Sequence, residues 1–231
     1  SDWAKPGTYG YGAGTAPMRA EAALKSKEHG PRAYSVGNGP NEQLTSPLKE
    51  ISSSSPNPLL VAVDVTGSMQ RWPAEIFDRL PLFYQTLSQY RPDLEVSYAA
   101  IGDCRYDRWP LQVTSFAKGF SLEDNLKGIY GEGGGGDAPE SYGVFAWWVQ
   151  HRAHVTAERP FLIVFGDAMM HDTILPAELK RFVGVDIAQP QSAIAAWRAV
   201  SRVWSTWFLR RPGGVRGDEI DQQWSQAIGI Q

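Results

Sequence analysis

The residues of this chain best suited to chemistry begin with Asp64-Val-Thr66-Gly-Ser68, a carboxylate and two hydroxyls at alternating positions. Hard oxygen donors at that spacing suit a hard divalent cation, Mg²⁺ or Mn²⁺. Two further carboxylates stand in comparable places. Asp137 closes the glycine run Gly133-Gly-Gly-Gly136, and Asp167 follows the apolar run Phe161-Leu-Ile-Val-Phe165 and a glycine. Asp64, Thr66, Ser68, Asp137 and Asp167 are therefore the candidate metal ligands. Asp103 and Glu140 are candidates for orienting a metal-bound water or recognising a ligand. Taken alone, residues 64 to 68 equally fit a strand end at which Ser68 caps the next helix.

The elements that must position these side chains are legible as apolar patterns. Leu59 to Val63 is an unbroken apolar run, the mark of a strand buried on both faces, and Phe161 to Phe165 is a second. Both end where the candidate carboxylates begin, and open α/β sheets bind ligands at that edge. Met69 to Tyr90 carries Ile76, Leu80, Phe83, Tyr84 and Leu87 at helical spacing, with Pro73 suited to the first turn and Pro81 expected to kink or divide the helix. Leu94 to Ile101 reads as a strand. The short connection from Gly102 to Arg108 permits only a hairpin to the next strand, within Trp109 to Phe116. In that connection Asp107 reads as a solvated turn residue paired with Arg105 and Arg108, and Cys104 as an ordinary thiol.

Further along, Ser121 to Tyr130 reads as a short helix capped by its serine, and Ser141 to His154 as a long amphipathic helix. His151 and His154, three apart, could share one face of it but are too few for a metal site. Pro176 to Val183 and Pro190 to Val200 read as helices, Val203 to Leu209 as a strand, and Ile220 to Ala227 as a last short helix.

The three ordered stretches resemble the von Willebrand factor A domain and its metal-ion-dependent adhesion site. In that family Asp-x-Ser/Thr-x-Ser supplies the first ligands, a second loop adds a Thr or Asp, and the next core strand ends in Asp. Asp64-Val-Thr66-Gly-Ser68 matches the first element. Asp137 lies in Gly133-Gly-Gly-Gly-Asp137-Ala-Pro-Glu140, as in the Gly-Gly-Gly-Asp-x-Pro-Glu subgroup, and Asp167 matches the third. The resemblance covers about residues 58 to 228. It implies an α/β fold of Rossmann-like, doubly wound type: a mostly parallel sheet, one antiparallel edge strand, helices on both faces, the Leu59 strand central and the Trp109 strand at one edge. It also implies Mg²⁺-dependent protein binding, with a partner's Asp or Glu completing the metal shell, and no catalysis. Intracellular relatives act as adaptors or subunits of larger complexes, some beside AAA-type ATPases. The family's usual last strand and closing helix find no counterpart before Gln231, so the sheet edge at the Val203 strand needs another cover.

Two other readings compete. One is a purely structural assembly subunit with an occupied or vestigial metal site. The other is a haloacid-dehalogenase-like phosphotransferase, which also places Asp at a strand end. That chemistry needs a second Asp two residues on as acid and base, where Thr66 stands.

Composition bounds the rest. The 231 residues, 42% hydrophobic, can bury one good core, and a net charge of −3 with both signs dispersed advertises no nucleic-acid surface. The single cysteine, Cys104, forbids an intrachain disulfide and suits a reducing compartment. With no run long enough to span a bilayer and no secretory signal at Ser1-Asp-Trp-Ala-Lys, the chain reads as cytoplasmic, without membrane partners. Residues 1–57 form a Gly/Pro-rich extended arm, and residues 58–231 the A-like domain. The arm lacks apolar sequence for a core of its own. It is expected to dock through Trp3, Tyr9 and Tyr11 on its own domain or on a neighbour, within an oligomer or larger complex.

Overall fold

The computed structural model describes residues 39–69, 72–135, 139–212 and 216–229. The expected helix from Ala16 to His29, the arm contacts Trp3, Tyr9 and Tyr11, and the ligand candidate Asp137 lie outside the described residues.

In chain order the elements are α1 (Glu42–Thr45), β1 (Ile51–Ser53), β2 (Asn57–Asp64), a 3₁₀ turn at Gly67–Met69, α2 (Trp72–Ser88), β3 (Leu94–Ile101), β4 (Leu111–Val113) and α3 (Ser121–Lys127). There follow α4 (Tyr142–Arg152), β5 (Ala153–Val155), β6 (Phe161–Gly166), β7 (Thr173–Ile174), α5 (Pro176–Val183), β8 (Gln191–Ser192), α6 (Ala193–Val203), β9 (Ser205–Arg210) and α7 (Gly217–Ile228). The main sheet has five strands in the order β4-β3-β2-β6-β9. All its pairings are parallel except β3 with β4, which is antiparallel at one edge. The expected α/β architecture holds, with the Leu59 strand central and the strand after Trp109 at the edge.

Alternation along β2 builds both faces of the core. Leu60 and Ala62 point to the side packed by α4, α5, α6 and α7, where Trp148, Leu179, Trp197 and Trp224 are buried. Leu59, Val61, Val63 and Val65 point to the side packed by α2 and α3, with Phe77, Leu80, Leu122 and Leu126. Asp64, in step with Leu60 and Ala62, therefore faces α4. On that face Trp224 stacks on Phe208 with ring centroids 3.9 Å apart and meets Trp197 at 5.0 Å. Such aromatic pairs add about 0.5–1.5 kcal/mol beyond their buried area, enough to clamp α7 onto β9.

Several expectations are corrected. α2 continues undivided through Pro81. Its buried stripe is Phe77, Leu80, Pro81, Tyr84 and Ser88, which turns Phe83 out to 36% exposure. α3 starts without a side-chain cap, Phe120 holding the cap position in place of Ser121. α4 ends at Arg152, because Ala153 turns extended and enters β5, which pairs in parallel with β1. His154 therefore sits on a strand, 3.6 Å from Glu50, while His151 stacks on Trp147, so the two histidines share no helical face. α4 is also not amphipathic: seven of its residues are buried, from Tyr142 to Val149. Within the stretch expected to be an extended arm, residues 42–53 belong to the folded body. Leu44 enters one half of the core and Ile51 the other, and Trp148 Nε1 donates to the Lys49 carbonyl at 3.1 Å.

Candidate metal centre

The site is built where β2 and β6 stop. Asp64, the last residue of β2, is fully buried, and its Oδ1 accepts the Thr66 N–H at 2.8 Å and the Thr66 hydroxyl at 2.6 Å. Its Oδ2 accepts the Tyr142 hydroxyl from the first turn of α4. These donors are all neutral. Burial is the main reason the Asp64 carboxyl is pushed up to about 6, with the nearby Asp167 adding to it and the hydrogen bonds only partly opposing it. Burial and the Asp64 charge likewise raise the Tyr142 hydroxyl well above its ordinary value.

From Asp64 a chain of oxygens runs to the surface. Thr66 Oγ1 lies 3.3 Å from Ser68 Oγ, and Ser68 Oγ donates to Asp167 Oδ1 at 2.7 Å. Ser68 is exposed, so the chain opens to solvent at this end. Asp167, just past β6, carries its second oxygen 3.1 Å from Arg211 Nη1. Four of the five candidate ligands thus come together. Among the described residues no group of three His, Cys, Asp or Glu side chains is placed to hold a metal. The set here consists instead of two carboxylates and two hydroxyls.

The glycine loop is stitched over this chain by its backbone. Gly67 N–H donates to Gly134 O at 2.7 Å, and Gly133 N–H to Val65 O at 3.3 Å. Gly135 has a φ of 88° and passes so close to Thr66 that a Cβ would stand 3.1 Å from that side chain. Glycine is required there on both counts. Asp107 anchors the loop: its Oδ1 accepts Gly135 N–H at 2.6 Å and its Oδ2 accepts Asp103 N–H at 2.7 Å. Only 6% exposed, Asp107 is not the solvated arginine-paired turn residue expected. Burial raises its carboxyl, against the pull of the two N–H groups. The arginines have other partners, Arg105 pairing with Glu178 and Arg108 lying over the Trp109 ring.

Asp103 and Glu140 lie close to the candidate ligands. Burial would raise Asp103, but hydrogen bonds from His171 Nε2 at 3.3 Å, Arg105 N–H at 3.0 Å and Ser141 Oγ at 2.9 Å outweigh it, and its carboxyl is lowered. Glu140 is 2% exposed, and its Oε2 has no hydrogen-bond partner among the described residues. Burial first, then the charges of Asp64, Asp103 and Asp107, push its carboxyl up to about 9. Burial also raises the Cys104 thiol, which suits its place as an inert core residue.

Three residues with no motif signal complete the framework. Tyr142 holds Asp64. Gln223 on α7 forks onto the 168–172 loop, accepting Met170 N–H at 2.7 Å and donating to Met170 O at 3.0 Å. Trp224 Nε1 donates to Ala168 O at 3.2 Å. Beside Asp167 lies a groove of about 720 Å³, lined among others by Arg105, Tyr106, Met169, His171 and Ile220. Among the described residues no helix is long and apolar enough to cross a membrane.

The donor set fits a hard divalent ion. It is all oxygen, it combines charged and neutral donors, and its buried carboxylate has no basic partner among the described residues. No family model matches the chain, and a comparison with curated proteins finds no match. Among solved structures, it is similar to the pilus adhesin SpaC from Lactobacillus rhamnosus GG, at 10% identity over 78% of this chain and a TM-score of 0.47. It is also similar to the SpRpn10 VWA domain, at 11% identity over 76% of this chain and 98% of that one, with a TM-score of 0.31. The match spans 28% of the adhesin's length. Both scores are low, and the fold assignment stands on the strand order.

Proposed function

We propose that the chain is a metal-dependent protein-binding module whose site holds Mg²⁺ or Mn²⁺ through Asp64, Thr66, Ser68, Asp167 and Asp137. The observation that carries this reading is the chain of oxygens from buried Asp64 through Thr66 and Ser68 to Asp167, whose last link, Ser68 to Asp167, spans 99 residues and joins the ends of β2 and β6. Thr66 and Tyr142 fix the orientation of the Asp64 carboxylate, and Ser68 and Asp167 present donors at the open end. When bound, the ion supplies concentrated positive charge to which a partner's Asp or Glu is drawn. The neighbouring groove offers Tyr106, Met169 and Arg105 to the residues that flank that carboxylate. A place in a larger intracellular complex, as adaptor or subunit beside an AAA-type ATPase, extends the reading by resemblance.

Calorimetry with MgCl₂ and MnCl₂ tests the ion. Asp64→Ala removes the buried charge and should abolish binding, and unchanged affinity in that variant refutes the assignment. A partner retained with Mg²⁺ and released by chelator is the corresponding observation for protein binding. The assembly-subunit reading draws support from residues 42–53 being built into the core and from Leu209, 47% exposed on the outer strand β9. A phosphotransferase would need an acid and base carboxyl two residues after Asp64, where Thr66 instead donates its hydroxyl to Asp64 Oδ1. Asp64-dependent turnover of a generic phosphate ester would reverse that preference.

A further inference from the structure

The chain leaves β9 at Arg211, whose backbone N–H donates to Gly166 O at 2.8 Å. That bond fixes Arg211 beside the end of β6, next to Asp167. Its Nη1 then lies 3.1 Å from Asp167 Oδ2 and also donates to the Ser68 carbonyl. The pair is largely withdrawn from solvent, the Arg211 side chain 21% exposed and that of Asp167 9%. With Ser68 Oγ on Oδ1, both oxygens of Asp167 are engaged within the protein.

Resting on the ion-binding reading above, we infer that Arg211 is a tethered counter-ion: it competes with the divalent cation for Asp167, and this competition sets the concentration at which the site loads. Two effects act together. The guanidinium offsets the Asp167 charge that would otherwise attract the ion, and it repels a second cation placed among Asp64, Ser68 and Asp167. Guanidinium does not lose its proton in proteins, so the competition is not relieved by pH. It is relieved by moving the side chain. Whatever draws Arg211 off Asp167, an incoming carboxylate above all, raises ion affinity, and the ion raises affinity for that carboxylate by the same factor. The contact thus makes ion loading and partner binding cooperative.

A merely structural brace makes the opposite prediction, because removing it would loosen Asp167 and weaken the ion. Calorimetry of the full chain with MgCl₂ and MnCl₂, at constant ionic strength, compares wild type with Arg211→Gln and Arg211→Lys. Arg211→Gln should bind at least about tenfold more tightly, the effect of one charge on a divalent ion about 6 Å away even at the dielectric of bulk water. Arg211→Lys, which keeps the charge, should stay within about threefold of wild type. Arg211→Met carries the same comparison should the glutamine variant melt too low to titrate. Unchanged or weaker binding in the uncharged variants overturns the competition while leaving the ion site standing. Binding in Arg211→Gln with none in wild type supports it. No binding in any of the chains overturns the ion reading itself, and the inference with it.

Discussion

Asp64→Asn keeps the shape of the buried side chain and removes its charge, which separates what the carboxylate contributes to stability from what it contributes to ion binding. The folded carboxyl titrates at about 6 against 3.8 for the ordinary group. Between those values the folded chain holds the extra proton, so this group's contribution to stability is complete at low pH and is lost as pH rises through the window. At about 1.4 kcal/mol per pH unit of separation, the charged Asp64 costs the folded state up to about 3 kcal/mol at pH 8. The amide oxygen of asparagine can still accept both Thr66 hydrogen bonds. The Tyr142 hydroxyl, which donates to Oδ2, would face an N–H₂ group instead, a loss of roughly 1 kcal/mol. In chelator the variant should therefore be more stable than wild type by about 2 kcal/mol at pH 8, and the advantage should vanish near pH 4, where Asp64 is already protonated in the folded chain. Urea melts of both proteins at the two pH values measure this. With Mg²⁺ at pH 8 the order should reverse, since wild type alone gains from the ion. A variant less stable than wild type at pH 8 in chelator would show that Thr66 and Tyr142 satisfy the carboxylate fully, and that its burial is not a cost held for a cation.

Two more substitutions probe the framework. Thr66→Ser should keep ion affinity, because the hydroxyl that reaches Asp64 and Ser68 remains, whereas Thr66→Val should lose it at similar size; equal affinities in calorimetry would remove Thr66 from the site. Gln223→Leu should cost about 2–3 kcal/mol in urea melts, since it leaves the Met170 N–H and carbonyl without their partner, and it should weaken ion binding as the loop after Asp167 loosens; a loss below about 0.5 kcal/mol would mean water replaces the amide.

The parts of this fold that sequence reveals are those whose pattern has one physical explanation. The runs at 59–63 and 161–165 lie between two packed faces, and 94–101 lies between β2 and β4, so little besides a central strand fits them. The ligand candidates Asp64 and Asp167 followed from those strand ends. What escaped was set by tertiary context. Asp107 has arginines on either side within two residues, which reads as a surface pair, yet the hairpin folds back so that its partners are backbone N–H groups of Asp103 and Gly135. Elements of three or four residues, such as α1 and β1, are too short to carry a period, and only the burial of Leu44 and Ile51 reveals their role. Arg211 becomes visible only through register: β9 pairs with β6 so that Gly166 faces Arg210, which brings the next residue beside Asp167. Phe83 failed for a simpler reason, sitting about 100° around the helix from the buried Tyr84.

The central position of β2 also governs when the molecule can become itself during synthesis. Its neighbour β3 begins at Leu94, soon after β2 ends, but its other neighbour begins only at Phe161. At roughly 5–20 residues per second on the ribosome, β2 would wait many seconds with one flank unpaired, its apolar residues without the cover of α4 and α6. Asp64 and Asp167 meet only after that wait, so no ion can template the early stages. Mutations in β6 or α4 should therefore act on the yield of folded protein through this interval, with chaperone dependence as their first sign, before they register in the stability of molecules that complete it.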